Sequence, residues 1–385
     1  MKFPIYLDNN ATTKTDPRVV ESMLPYFSDK FGNYSSKHSF GLEAKTAVEY
    51  AREQISKLIN AYPDEIIFTS GATESINIAH IGFALANQNK GKHIISSMVE
   101  HSASYESLIF LMKSGFELTF IKPDNYGRVN IDDISKNIRK DTILVSLIFA
   151  NNEIGTITNV NKISELCNQE KIAFHIDGTQ AVGKIKVDMR KINPSMMSFT
   201  AHKIYGPKGI GALFVNKNSL KVNLSPIIFG GAQENGLRSG TLNVPAIVGF
   251  GKAAEIIIEE FDKDVLIYNS LSKLMHSKFL TFIDEIRLNG HPIERIPNNL
   301  NFTVKKVLSQ DLMSRCYNIS FSAGSSCASE SNKRSRVLKS IGLTNEDIDC
   351  SFRIGFSKFN TIEEIEFATE TMIDQINYIR QKTLK

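Results

Sequence analysis

Between residues 43 and 200 the apolar positions follow two alternating patterns. Short apolar runs such as EIIFTS, HIISS, ELTFIKP, TILVSLIFA, KIAFHID and MMSFT are typical of buried strands. The segments between them carry apolar residues at helical spacing, which predicts helices in ISELCNQE and at residues 43–59, 71–86, 101–114 and 131–139. Strands that alternate with helices predict an α/β fold in which helices cover both faces of a parallel sheet.

The pattern becomes less regular after a long helix predicted at residues 246–283. The runs EIRLNG, NNLNFTV and YNISFSAG, a helix near Asp311 and a final amphipathic helix indicate a smaller α+β domain. A chain of 385 residues is too long for one ordinary core, and chain ends often pack together. We therefore predict a large domain at residues 14–258 and a small domain made of residues 1–13 and 259–385.

Polar residues follow five of the predicted strands at their carboxyl ends. The loops that contain them are GATES, EHSA, NNEIG, DGTQ and TAHK. In open parallel sheets the ligand lies beyond the carboxyl ends of the strands, so these loops should converge on one crevice. Any one of them can be an ordinary solvated loop. The five together indicate a binding site.

Lys203 follows the strand MMSFT and precedes a turn rich in glycine and proline. A lysine held at a strand end with its amine facing a cleft suits Schiff-base chemistry, which makes Lys203 a candidate covalent anchor for a cofactor. The alternative is that Lys203 and Lys208 line a solvated turn. Ala72 and Thr73 begin a predicted helix, where free amides favour a phosphate, although an ordinary capped helix shows the same pattern.

Four further strand-end residues can contact a planar ring. Asp177 can pair with a protonated ring nitrogen or cap the following turn, and His101 can stack on a ring or only cap a helix. Asn152 and Gln180 are loop amides that can donate to a phenolic oxygen. These roles stay open when the residues are considered one at a time.

Cys327 and Arg353 are the candidates outside the predicted large domain. Cys327 lies among glycine, alanine and serine in FSAGSSCASES, so its thiol is either a nucleophile that can travel to a substrate or an incidental surface cysteine. Arg353, in SFRIGFS, is expected to begin a strand and to clamp a carboxylate, or to form an ordinary surface ion pair.

Composition narrows the class of protein. Hydrophobic residues make up 42% and charged residues 22% of the chain, the formal net charge is +4, and basic residues form no block. This balance is typical of a soluble globular protein and argues against a nucleic-acid partner. No run of about 18 apolar residues occurs, so we expect a cytoplasmic protein without a membrane span. Four cysteines without a CxxC pair argue against a zinc site and a disulfide framework.

The strand-end loops, together with YLDNNATT, AHKIYGPKGIGAL, RSGTLNVP, AGSSCAS and FRIGFSKFNT, resemble the pyridoxal-phosphate-dependent cysteine desulfurases of the NifS/IscS type. The resemblance covers nearly the whole chain in that family's order. It implies fold type I of these enzymes, with a mainly parallel seven-stranded sheet in the large domain. It also implies that Lys203 holds pyridoxal 5'-phosphate, that Asp177 pairs with the ring nitrogen, and that His101 stacks on the ring and assists proton transfer.

The same resemblance assigns the remaining roles. Asn152 and Gln180 lie on the side of the phenolic oxygen. Arg353 is the clamp for the substrate carboxylate, and Asn152 also binds the substrate. The phosphate is bound by five residues, the last of them from a second subunit: Ala72, Thr73, Thr200, His202 and Thr241.

The implied enzyme is a homodimer that converts L-cysteine to L-alanine and keeps the sulfur as a persulfide on Cys327. The sulfur would serve iron–sulfur cluster assembly or tRNA thiolation through an acceptor or scaffold protein, and Cys327 could contact a cluster during transfer. Two alternatives stay open. A selenocysteine lyase or β-lyase would depend less on Cys327, and a catalytically silent binding subunit would not need Lys203, Asp177 and Cys327 together.

Overall fold

Two separate sheets and one short strand pair account for the strands of the described residues. The architecture is that of a computed structural model, in which residues 3–217, 222–323 and 334–383 are described. The strands are β1 (Ile5–Tyr6), β2 (Ile66–Thr69), β3 (His93–Ser97), β4 (Glu117–Ile121), β5 (Thr142–Ile148), β6 (Ala173–Asp177), β7 (Met196–Thr200), β8 (Gly211–Val215), β9 (Ile286–Leu288), β10 (Asn299–Val304), β11 (Ile319–Ser320), β12 (Ser322–Ala323) and β13 (Ser351–Gly355).

The larger sheet has seven strands in the order β2-β8-β7-β6-β5-β3-β4. Strands β4, β3, β5, β6 and β7 are parallel, whereas β8 runs antiparallel to both of its neighbours. The chain reverses between β7 and β8 through residues 201–210, where Gly209 has a φ of +81°, a value that glycine adopts without strain. The predicted α/β class with a mainly parallel seven-stranded sheet is therefore confirmed.

Most of the helices lie where the apolar spacing predicts a helix. They are α1 (Pro17–Met23), α2 (Pro25–Ser28), α3 (Ser39–Leu58), α4 (Ala72–Asn77), α5 (Phe83–Asn87), α6 (Ser102–Lys113), α7 (Ile131–Asn137), α8 (Val160–Gln169), α9 (Met189–Ile192), α10 (Val244–Phe282), α11 (Ser309–Arg315), α12 (Arg336–Ser340), α13 (Asn345–Asp349) and α14 (Ile362–Thr383).

One predicted helix is interrupted. The segment predicted as a single helix at residues 71–86 contains a π-helical turn, Ile78–Gly82, between α4 and α5. At this turn the amide of Ser225 donates to the carbonyl of Gly82, and a Cβ on Gly82 would lie 2.6 Å from the carbonyl oxygen of Ser225. A π turn offers a carbonyl outside the regular helical ladder, which lets a neighbouring segment pack against it.

The second sheet is antiparallel, with the order β12-β13-β10-β9. Beside it, β1 pairs in parallel with β11, so the start of the chain lies against its C-terminal third. Each sheet has its own apolar core, and α10 contributes Ile257 to the first and Leu271 to the second. The predicted domain boundary at residue 258 falls inside this continuous helix, and the domain limits stay a prediction.

None of the helices formed by residues 3–217, 222–323 and 334–383 combines the length and the apolar character needed to cross a bilayer.

Candidate active site

A cavity of about 630 Å³ opens at the carboxyl ends of the parallel strands. Ten of the residues predicted from the sequence line it: Ala72, Thr73, His101, Asn152, Asp177, Gln180, Thr200, His202, Lys203 and Arg353. Thr241 is exposed and is not among the lining residues, and Cys327 lies outside the described residues. The strand-end loops therefore converge as the sheet topology requires.

Lys203 ends a single turn of 3-10 helix, Ala201–Lys203, directly after β7. Its Nζ donates to the carbonyl oxygens of Asn10 and Ala11, at 2.6 Å each. The N-terminal segment also holds the backbone beside it, because the amide and the hydroxyl of Thr13 both donate to the carbonyl of His202. The lysine amine is thus fixed at the cavity wall by polar contacts.

A second lysine, Lys184, lies behind Lys203. It is buried, and its Nζ donates to the carbonyl oxygen of Lys203 at 3.3 Å. Burial, followed by the nearby charge of Lys203, lowers the pKa of Lys184 to about 7. The sequence analysis did not identify Lys184, because a lysine after a glycine ordinarily lies on the surface.

His101 and Asp177 each have a structural contact and a place in the cavity. His101 caps α6 through its Nδ1, which accepts a hydrogen bond from the amide of Ala103. Asp177 ends β6, and its Oδ1 accepts from the amide of Thr179. Burial lowers the pKa of His101 below its ordinary value, and the charge of Asp177 opposes the shift. At neutral pH the imidazole is therefore neutral. Both His101 and Asp177 can make their capping contacts and still contact a ring in the cavity.

The end of the cavity near α4 can take an anion. Gly71 precedes the helix, so the first amides of α4 lack intrahelical partners and point toward the cavity. Thr200 lies beside this loop, with its hydroxyl 4.0 Å from where a Cβ on Gly71 would be. Glu74 of the same loop forms an ion pair with Arg238 at 2.7 Å. The pair ties the anion site to the RSGT segment that carries Thr241.

His202 completes this side of the cavity. Its Nδ1 lies 3.1 Å from the hydroxyl of Thr12. Burial, followed by the charge of Lys203, lowers the pKa of His202 to about 3. The ring is neutral at physiological pH and can donate or accept a hydrogen bond there.

Arg353 is fully buried and faces the cavity from the second sheet. Its Nη2 lies 2.7 Å from Oδ1 of Asp8, and its Nη1 donates to the carbonyl of Asn152 at 3.1 Å. The expectation that Arg353 begins a strand is wrong, because β13 begins at Ser351 and pairs with β10 along its whole length. A central position holds the guanidinium more rigidly than a strand end would.

The polar atoms of the cavity fit pyridoxal phosphate. Among the buried side-chain atoms of lining residues, Asn10 Nδ2, Thr179 Oγ1 and Gln180 Oε1 have no hydrogen-bond partner within the described residues. Buried polar groups are rarely left unpaired, so a polar ligand is expected here. A lysine amine, a buried carboxylate and an anion site at a helix start match the aldehyde, ring nitrogen and phosphate of that cofactor.

Two buried carboxyl groups next to the cavity were not identified from the sequence. Glu100 accepts hydrogen bonds at Oε1 from the hydroxyl of Ser97 (2.5 Å) and the amide of Ile148 (3.1 Å). Burial raises its pKa to about 8 and raises that of Glu153 to about 7. Both lie in strand-end loops, EHSA and NNEIG, where the sequence analysis considered only the neighbouring histidine and asparagine.

The three cysteines inside the described ranges, Cys167, Cys316 and Cys350, are buried and are not part of disulfides. Burial raises the pKa of Cys316 to about 11 and also raises that of Cys350. Such thiols stay protonated and are poor nucleophiles at neutral pH.

Known proteins resemble this chain over nearly its whole length. Residues 5–367 match the family model described as aminotransferase class-V. The chain is 43% identical over 382 residues to "Cysteine desulfurase IscS" of Neisseria meningitidis serogroup A. The matched region covers 99% of this chain and 94% of that protein. Among solved structures, a "NIFS-LIKE PROTEIN" superposes with a TM-score of 0.91 at 33% identity, covering 97% of this chain and all of that one. A structure titled "SspA in complex with cysteine" gives a TM-score of 0.82 at 32% identity and covers 93% and 100% of the two chains.

Proposed function

Because the chain belongs to the aminotransferase class-V family, we propose that it is a pyridoxal-phosphate-dependent cysteine desulfurase. The observation that carries the proposal is the single cavity that Lys203, Asp177 and Arg353 line together. The relative from Neisseria meningitidis supports the reaction by its name, and the SspA complex supports cysteine as the ligand of such a cavity.

In this proposal the described residues hold the cofactor as follows. Lys203 is its covalent anchor, Asp177 pairs with the ring nitrogen, and His101 stacks on the ring. Asn152 and Gln180 contact the side of the phenolic oxygen. The phosphate contacts are Ala72, Thr73, Thr200 and His202. When bound, the cofactor supplies an electron sink for bond changes at the substrate α-carbon.

The chain's own groups then carry the protons. The Lys203 amine would take the α-proton of the substrate and return a proton to the product. His101, whose pKa is lowered by burial, is neutral at physiological pH and can pass a proton as an imidazole. Arg353 binds the substrate carboxylate, which fixes the α-carbon within reach of Lys203.

Sulfur transfer requires one nucleophile. The thiolate of Cys327 attacks the sulfur of the substrate cysteine, so that a sulfur–sulfur bond forms and the bond from Cβ to sulfur breaks. The electron pair of that bond goes to the carbon side, which becomes the methyl group of alanine after protonation. L-cysteine and one protein thiol thus give L-alanine and one protein persulfide, with no external oxidant.

We also propose a homodimer with shared sites. The support is that Thr241 is exposed and outside the cavity lining of its own chain, while the neighbouring Arg238 pairs with Glu74 beside the anion site. A partner subunit would bring its own Thr241 to that site. Sedimentation at assay concentration tests this, and a fully active monomer would contradict it.

The remaining assignments concern the cellular setting. Three buried cysteines that are not in disulfides suit a reducing compartment, and we propose a cytoplasmic location on that ground. The persulfide would pass to a sulfur-acceptor or cluster-scaffold protein for iron–sulfur assembly or tRNA thiolation.

Product analysis tests the function itself. Purified protein loaded with pyridoxal phosphate and given L-cysteine with a reductant should change its visible spectrum and release alanine and sulfide in equal amounts. A β-lyase would instead release pyruvate and ammonia. Pyruvate as the main product, or no product from cofactor-loaded protein, would contradict the proposal.

A further inference from the structure

Glu74 places a carboxylate in the wall of the cavity, beside residues proposed to bind the phosphate. It lines the cavity together with Ala72 and Thr73, and it directly follows Thr73 in the chain. Its Oε2 accepts a hydrogen bond from the amide of Ser70 at 2.7 Å, so the carboxylate is fixed within this loop. A fixed negative charge at this position opposes the binding of an anion in the same end of the cavity.

Arg238 supplies the opposite charge. Its Nε donates to Oε1 of Glu74 at 2.7 Å, and its Nη2 donates to Oε2 at 3.4 Å. The side chain of Glu74 is 11% exposed and that of Arg238 is 21% exposed, so water screens the pair only partly. Burial by itself would raise the pKa of Glu74, but the hydrogen bonds from Arg238 and Ser70 outweigh burial and lower this pKa. Glu74 is therefore ionised at neutral pH, and Arg238 balances its charge.

The backbone near Arg238 is held by contacts other than this ion pair. Glu234, four residues earlier, is buried and accepts hydrogen bonds from Arg52 at both carboxylate oxygens and from the amide of Phe68. Glu234 has a φ of +48°, a conformation that residues other than glycine keep only where surrounding contacts hold them. Phe68 belongs to β2, the strand that leads into the loop of Glu74. The segment that carries Arg238 is thus fixed to the same part of the large sheet as Glu74.

We propose that Arg238 is a positioning residue that acts through Glu74: it cancels the charge of Glu74 and thereby makes the cavity selective for a phosphorylated ligand. The inference rests on the proposed function, in which Ala72 and Thr73 contact the cofactor phosphate. Arg238 is not among the described residues that line the cavity, so it affects a bound anion through Glu74 rather than by direct contact. Without Arg238, the ionised Glu74 would repel a phosphate monoester, which is largely dianionic at neutral pH.

Ligand binding by the full-length protein, freed of cofactor, tests this role without an activity assay. Equilibrium dialysis gives dissociation constants for pyridoxal phosphate and for pyridoxal, which has the same ring and aldehyde but no phosphate. Arg238→Met should weaken the binding of pyridoxal phosphate on the order of 10- to 100-fold, because the charge of Glu74 is no longer balanced. The binding of pyridoxal should change by less than about threefold, because that ligand carries no charge at this end.

The double variant Arg238→Met/Glu74→Gln gives the sharpest distinction, because it removes both charges. If repulsion by Glu74 causes the loss, this variant should bind pyridoxal phosphate within about threefold of wild type, a recovery that the loss of a structural contact does not produce. Glu74→Gln alone should bind it at least as tightly as wild type, since Arg238 then keeps an unbalanced positive charge. Added salt should narrow the gap between Arg238→Met and wild type, because it screens the repulsion.

A matched control comes from an ion pair elsewhere on the surface. Lys217→Met removes the exposed pair between Lys217 and Asp64 and changes the net charge by the same amount as Arg238→Met. Neither Lys217 nor Asp64 is among the described residues that line the cavity. This variant should bind both ligands with wild-type affinity.

The contrary outcomes are distinct. A double variant as weak as Arg238→Met would overturn the inference, because the loss would then come from a direct or structural contact of Arg238. An equal loss of affinity for pyridoxal, or wild-type affinity of Arg238→Met for pyridoxal phosphate, would also overturn it. Each of these results leaves the proposed function standing. Wild-type protein that binds neither ligand would instead contradict the proposed function, and this inference with it.

Discussion

The two sheets of this protein use polar residues in different ways. In the seven-stranded sheet the residues of the proposed chemistry lie at or after the strand ends, as Asp177 ends β6 and Lys203 follows β7. In the four-stranded sheet they lie within the strands. The β10 side chains of Asn299 and Asn301 are buried and polar, and they alternate with apolar side chains such as Phe302.

The difference reflects which part of each sheet meets the cavity. The parallel sheet presents an edge, so its functional residues are in loops and the strands stay apolar. The antiparallel sheet presents a face, so one side of β10 and β13 packs on its own core while the other carries Asn301 and Arg353 toward the NNEIG loop. In the proposed function, the first sheet would supply the cofactor site and the second would supply substrate binding and support.

Removing Lys203 from the proposed cofactor site should cause the largest loss of activity. Lys203→Ala should reduce alanine formation by at least about 10³-fold, because it removes both the anchor and the proton carrier. Borohydride reduction of the loaded protein should attach the cofactor to the peptide containing Lys203 in wild type and to no peptide in the variant. Lys208→Ala, on the same cavity, is the control and should keep the attachment. Attachment that survives in Lys203→Ala would refute the assignment.

A change of Arg353 in the second sheet should weaken substrate binding more than cofactor binding. Arg353→Lys keeps the charge but loses the two-pronged contact, and should lower kcat/KM for cysteine by about 10- to 100-fold, mainly through KM. Cofactor binding should be unchanged, since Arg353 lies on the substrate side. Arg128→Lys, in an exposed ion pair, serves as control. A weaker cofactor affinity with an unchanged KM would reverse the roles given to the two sheets.

Glu100 allows a test by pH. Its pKa is raised to about 8 by burial, so the folded state binds a proton that the unfolded state loses above its ordinary pKa of about 4.5. The stability it contributes is complete below pH 4.5 and is lost as the pH rises to about 8. Relative to Glu100→Gln, which stays neutral, wild type should lose up to roughly 1.4 kcal/mol per pH unit in this window. Urea unfolding of both proteins between pH 5 and 8 measures this loss of unfolding free energy. If the free energies of the two proteins change with pH in parallel, Glu100 is ionised in the folded state over this whole range.

The smallest effect is expected from the polar face of β10. Asn301→Ala removes the donor to the Glu153 carbonyl and the acceptor for Asn289, and should lower the free energy of unfolding by about 1–3 kcal/mol. Asn269→Ala, on the exposed face of α10, should change it by less than about 0.5 kcal/mol. Equal effects of the two changes would mean that the second sheet does not support the NNEIG loop through Asn301.

The same comparison explains what could be predicted from the sequence. Strand-end loops are contiguous motifs next to apolar runs, so the alternation located Lys203, Asp177 and His101 together, and the cavity contains all three. The second sheet gives no such signal. Contacts such as that between Arg353 and Asp8 join residues 345 positions apart, and no local pattern shows them.

The sequence pattern also did not reveal that three ionisable side chains are buried. Glu100, Glu153 and Lys184 have polar side chains that are exposed in most proteins, and their burial follows only from tertiary packing. The π turn at Ile78–Gly82 was missed for a related reason, since its partner is the distant Ser225. The role of Cys327 came from its small-residue context and the family resemblance, and stays a prediction.

Mass spectrometry after one turnover with L-cysteine tests the central claim most directly. The account predicts one extra sulfur atom on the peptide that contains Cys327, and none on the peptides with the buried thiols Cys167, Cys316 and Cys350. Cys327→Ser should bind the cofactor normally, acquire no sulfur and form no alanine. Added sulfur on one of the buried cysteines, or undiminished alanine formation by Cys327→Ser, would contradict the desulfurase assignment and favour a lyase.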